Sequence, residues 1–109
     1  MHRPSWYRRD GTPFPDGAYT EIEQCLTDRA YKRVAQTTLP DGTWISTVWL
    51  GIDHQFIDTE PPLIFETMVF WSEENLSELD MARYATEAEA QTGHDAMVTK
   101  WRMKIQGER

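Results

Sequence analysis

Two runs rich in β-branched and aromatic residues, Tyr31 to Leu39 and Thr43 to Leu50, are separated only by Pro40-Asp41-Gly42. Proline pre-sets the first corner of a turn, aspartate suits the second and glycine takes the left-handed position. The spacing therefore predicts a β-hairpin with a three-residue loop and a bulge, which fixes the middle of the chain as antiparallel sheet. Pairing Leu39 with Thr43 puts Ala35, Leu39, Ile45 and Trp49 on one face and Val34, Trp44, Val48 and Leu50 on the other.

The remaining elements arrange themselves around this hairpin. A third strand, Leu63 to Trp71, follows the Pro61-Pro62 pair, with Ile64, Glu66, Met68 and Phe70 on one face and Phe65, Thr67, Val69 and Trp71 on the other. A short fourth strand, about Leu79 to Tyr84, returns beside it after the polar loop Ser72 to Ser77. Thr86-Glu87-Ala88-Glu89 reads as a capping box that opens a helix running to about Lys104. Its apolar stripe comprises Ala90, His94, Met97, Val98, Trp101 and Ile105, and Gly93 permits close approach to the sheet. Upstream, Ala18, Ile22, Cys25 and Leu26 recur at helical spacing, so a short helix is expected from Ala18 to about Ala30.

Residues 1–17 hold Pro4, Pro13, Pro15, Gly11 and Gly17 and read as an irregular arm, whose Trp6, Tyr7 and Phe14 fold back onto the body. The expectation is one α+β domain over 18–105 with a tail at 106–109. It consists of a three- to four-stranded antiparallel sheet with a short N-terminal helix and a longer C-terminal helix packed on it. A length of 109 residues allows one hydrophobic core. A sheet apolar on both sides must cover both with helices or arm, or bury one side against a second copy, which would make a homodimer.

Charge narrows the function classes. The net charge is −7, and residues 51–95 hold eleven acids against Arg83 alone, while both ends of the chain are basic. Such a middle repels phosphate, which argues against direct nucleic-acid binding. The acidic run is either a solvated, solubilising face or a docking surface for a basic protein partner, with Glu73, Glu74, Glu78 and Asp80 as its partner-binding candidates. No stretch approaches the roughly 20 apolar residues of a membrane span, and Met1-His2-Arg3-Pro4 does not lead into a signal-peptide apolar core. The lone Cys25 fits a reducing compartment and reads as an inert, buried small hydrophobe.

Three residues are candidates for chemistry: His54 in the loop after the second strand, Glu66 inside an apolar strand, and His94 inside an apolar helix face. Converging, they would form a small-molecule or metal site with hydrolytic potential. Against this, no H-E-x-x-H, phosphate-loop, dinucleotide, nucleophile-elbow or Cys-x-x-Cys motif is present, so no cofactor or metal is expected. The bland readings are a hydrogen-bonded core histidine for His94, a carboxylate paired with Arg33 or Tyr84 for Glu66, and a loop-capping Asp53 beside a surface His54.

The strings Ser46-Thr47-Val48-Trp49-Leu50-Gly51-Ile52-Asp53-His54-Gln55-Phe56 and Pro61-Pro62-Leu63-Ile64-Phe65-Glu66-Thr67-Met68-Val69-Phe70 carry a resemblance, as does the helix with Glu89-Ala90 and Gly93-His94. Over roughly 31–101 the chain resembles a family of small uncharacterised proteins encoded by phages of actinobacteria. It departs from that pattern after Phe56, where Ile57-Asp58-Thr59-Glu60 stands in place of a glycine-rich link. The resemblance assigns no catalytic or binding residue. It implies a phage accessory protein in the cytoplasm of an infected bacterium. Together with the residue-level reading, this leads to a non-enzymatic protein that binds a host protein through an acidic surface, with the site at His54, Glu66 and His94 as the alternative.

Overall fold

A computed structural model describes residues 6–53 and 61–107. The chain forms α1 (Tyr19–Thr27), α2 (Arg29–Lys32), β1 (Arg33–Thr38), β2 (Trp44–Trp49), β3 (Phe65–Phe70), β4 (Glu78–Tyr84) and α3 (Glu87–Gly107). The strands make one antiparallel sheet in sequence order, β1-β2-β3-β4, with α3 laid across all four. The expected α+β architecture is thus observed, with four strands.

The hairpin turn closes as its residues dictate. Gly42 takes φ +97°, its amide donates to the Leu39 carbonyl at 2.9 Å, and Asp41 Oδ1 accepts the Thr43 amide at 3.0 Å. The first helix departs from expectation, because the predicted single helix is split. Asp28 adopts extended backbone and its side chain caps the four-residue α2 by accepting the Tyr31 amide, ending α1 at Thr27. The first strand consequently starts at Arg33, two residues later than its sequence suggests.

A register shift at Val34, between the Arg33↔Val48 and Ala35↔Thr47 pairs, turns Val34 to the same side as Ala35. There Val34 joins a core cluster with Tyr7, Phe14, Ile22, Trp49, Phe65 and Ala90. This corrects the sequence-based placement of Val34 on the opposite face. The arm does fold back: Trp6 and Tyr7 make β-bridges to Ile52 and Pro13, and Trp49 Nε1 donates to the Tyr7 carbonyl at 2.9 Å. Arg9 ties the arm to α3 through a two-pronged ion pair with Glu87 at 2.7 and 2.9 Å. That pairing holds the Glu87 carboxyl below its usual range.

The capping box forms as read, with Thr86 Oγ1 accepting the Glu89 amide and Glu89 Oε1 accepting the Thr86 amide. Ala90, His94 and Met97 are buried, and Val98, Trp101 and Ile105 pack against a second cluster of Leu39, Ile45, Val69 and Met97. Gly93 lies against the Tyr84 ring so closely that an added Cβ would sit 2.2 Å from its Cε1. Glycine here lets the helix reach the sheet. No helix among the described residues is long and apolar enough to cross a membrane.

Candidate functional site

Both core clusters draw their strand residues from one side of the sheet, the side facing α3. The register places Trp44, Ser46 and Val48 on the other side, together with Glu66, Met68 and Phe70 of β3 and Glu78, Met81 and Arg83 of β4. Neither cluster includes Trp44, Val48, Met68, Phe70 or Met81, and no described helix or strand is laid across them, although Arg29 and Lys32 of α2 and Glu73 border a hollow at Arg33, Gln36, Trp44 and Val48. They form an apolar field in which Trp44 stacks on Phe70 with ring centroids 5.4 Å apart. Met81 is 42% exposed.

Cross-strand pairing orders this open face into three rows. Arg33, Val48, Glu66 and Arg83 line one end; Gln36, Ser46, Met68 and Met81 the middle; Thr38, Trp44, Phe70 and Glu78 the other end. Arg33 and Glu78, both exposed, thus stand at diagonally opposite corners. Neither makes an ion pair among the described residues. These two corners are invisible to a linear reading, because their placement depends on the register shifts at Val34 and at Leu79.

Beside the Glu78 corner, residues 71–77 form a loop held by its own bonds. Ser72 Oγ accepts the Asn75 amide, Asn75 Oδ1 accepts the Ser77 amide and hydroxyl, and the Trp71 amide donates to the Ser77 carbonyl. The fixed loop presents Trp71, 62% exposed, and Leu76, 57% exposed, with the exposed Glu73 and Glu74 between them. Trp71 and Leu79 also border a cleft of about 220 Å³ whose other side is Trp101, Lys104 and Ile105. Glu73, Glu74 and Glu78 are therefore all on the outside. Asp80 is not: it faces α3, where Lys100 Nζ donates to it at 2.7 Å and Trp101 Nε1 at 3.0 Å. The Lys100 bond holds its carboxyl below the usual range. Asp80 is thus already paired within the fold, because a helix supplies its partners.

The residues singled out for chemistry are separated. Glu66 points to the open face and accepts from Arg83 Nε at 3.0 Å; its partner is Arg83, not Arg33 or Tyr84. His94 lies on the covered side, 3% exposed, with Nδ1 2.7 Å from Thr47 Oγ1 and Nε2 2.8 Å from Thr37 Oγ1. Thr47 in turn bonds Thr67 across β2 and β3. Both ring nitrogens are occupied by hydroxyls, and burial pushes the imidazole pKa down, opposed by Asp95 on the same helix. His94 is a neutral strut between helix and sheet.

The sheet itself stands between Glu66 and His94, so these two cannot share a ligand. His54 lies outside the described residues; its neighbour Asp53 caps the returning chain by accepting the Leu63 amide at 3.0 Å. Among the described residues, no three His, Cys, Asp or Glu side chains gather to hold a metal. Cys25 packs half-buried against the first cluster. No family model, curated protein or solved structure matches the chain.

Proposed function

We propose that this protein is a non-enzymatic binding protein that engages a host protein through the acidic corner built by the β3–β4 loop. The observation that carries this reading is the loop of residues 71–77, where a largely exposed Trp71 and Leu76 are presented on an internally bonded frame with Glu73 and Glu74. Tryptophan is enriched among the residues that dominate binding energy. Surrounding carboxylates speed and orient encounter with a basic partner. A loop already fixed by its own hydrogen bonds loses little conformational freedom on docking. The partner on this reading is a basic, apolar-grooved protein, and the phage resemblance makes a bacterial host protein the class to search.

The test is capture from actinobacterial lysate with tagged wild type, Glu73→Lys/Glu74→Lys and Trp71→Ala/Leu76→Ala. Glu78 is left unchanged because it belongs to the open sheet face. Both double variants should keep the wild-type melting temperature and lose the captured protein. Capture at wild-type level by both would remove the loop from the interface.

A further inference from the structure

We infer that the open face of the sheet is a self-association surface, occupied by a second copy of this chain in a two-fold dimer. The shape of the face permits this. Four strands spaced about 4.8 Å apart and three rows spaced about 6.8 Å apart make a nearly square field roughly 14 Å on a side between outer Cα positions. Its corners are Arg33, Arg83, Thr38 and Glu78.

A two-fold axis lying in the interface along the Thr38–Arg83 diagonal returns such a square onto itself. It crosses the strands of the two copies near 90°, one of the two standard angles for sheets packed face to face. The same rotation exchanges the other two corners, so Arg33 of each copy meets Glu78 of the other. Among the charged side chains of the three rows, these are the two that make no ion pair within the described chain. Met68, near the centre, falls close to its own symmetry mate. Arg83 lies on the axis, and like charges there would repel, but the rotation brings Glu66 of each copy beside Arg83 of the other. Each charge in the three rows then has an opposite charge near it across the interface.

Size sets the strength. With half a spacing added at each margin, the field covers roughly 400 Å² of plan area per copy, about half the share each partner contributes to a standard interface. The dimer is therefore weak and exchanges freely, so the two Arg33–Glu78 contacts contribute a substantial fraction of its affinity. The surface adjoins the proposed host contact of Trp71, Glu73, Glu74 and Leu76, because Glu73 borders the same hollow as Arg33, Gln36, Trp44 and Val48; the Arg33 and Glu78 reversals leave all four of those residues unchanged.

The experiment is sedimentation equilibrium over a dilution series with wild type, Arg33→Glu, Glu78→Arg, and an equimolar mixture of the two variants. Wild type should dimerise. Each variant alone places like charges at both contacts and should dissociate about 10- to 30-fold more readily, on the scale of two exposed ion pairs converted to repulsions. The mixture should recover the wild-type affinity. In the mixed dimer the carboxylate introduced at position 33 of one copy faces the guanidinium introduced at position 78 of the other, and the second contact keeps its native Arg33 and Glu78. That recovery also shows that both variants fold. A monomeric wild type at its highest soluble concentration would overturn the inference. So would a wild-type dimer that is indifferent to both reversals, or variants that stay apart when mixed.

Discussion

The two faces of the sheet are built from alternate residues of the same strands, yet they are chemically unlike. Facing α3 are Ile45, Thr47, Trp49, Phe65, Thr67 and Val69, every one buried and none charged. One residue along, on the open face, are Trp44, Ser46, Val48, Glu66, Met68 and Phe70, of which only Ser46 is buried. The covered face also contains the polar network of Thr37, His94, Thr47 and Thr67, closed on itself with no unpartnered buried side-chain polar atom among the described residues. The open face instead has its charged groups at corners and edges. One face is thus given over to packing, while the other retains apolar surface that the fold itself does not consume.

This contrast is tested most severely by a pair of truncations at two tryptophans of β2. Trp49→Ala removes a fully buried indole and its hydrogen bond to Tyr7, and should cost about 3–5 kcal/mol in chemical denaturation. Trp44→Ala, on the open side, should cost about 1 kcal/mol or less, since only partial burial is lost. Equal costs would mean that both faces are core.

Next in size is Gly93→Ala, which forces a methyl group against the Tyr84 ring and should destabilise by about 1–3 kcal/mol despite alanine's better helix propensity. Pairing it with Tyr84→Ala should relieve part of the clash, read as non-additivity in a double-mutant cycle.

A smaller effect distinguishes the faces by pH. The folded pKa of His94 lies below its ordinary value of 6.5, so the unfolded chain takes up the proton first. The stabilisation by neutral His94 is complete above about 6.5, starts to decline as pH drops below that value and is lost through the lower folded pKa. Asp80 and Glu87, whose folded pKa values are depressed, add a separate loss at lower pH, below about 4. Melting temperatures from pH 8 to 3 should therefore fall in two stages, and His94→Gln should remove the first while keeping the second. A first stage that persists in His94→Gln would assign it elsewhere. The smallest effect is expected at the exposed end of the Glu66–Arg83 pair, where Arg83→Gln should change stability by about 0–1 kcal/mol.

Local chemistry made the fold legible wherever a short string decides the outcome. Pro40-Asp41-Gly42 specifies its turn, Thr86 to Glu89 specifies a helix start, and the spacing of Ala90, His94 and Met97 specifies the buried stripe. The break at Asp28 was also encoded, since aspartate before a helix-forming run is a cap signal, but the continuous spacing of Ile22, Cys25 and Leu26 masked it. What alternation could not deliver was anything downstream of a register shift. The extra residues at Val34 and Leu79 decide that Val34 turns inward, that Glu66 meets Arg83 and that Asp80 meets Lys100. Each is a pairing across strands or onto α3, set by tertiary geometry. For the same reason the separation of Glu66 from His94 required the sheet to be seen, although each sits in a legible element.

The division of labour between the two faces stands or falls on a paired readout of the open-face variant Trp44→Ser/Phe70→Ser, taking its melting temperature and its sedimentation-derived association state from one preparation. The expected result is a variant that still folds, with a modestly lowered melting temperature and self-association abolished, because these partly buried rings belong to no core cluster. A variant that unfolds, or one that folds and still associates as wild type does, would contradict that division.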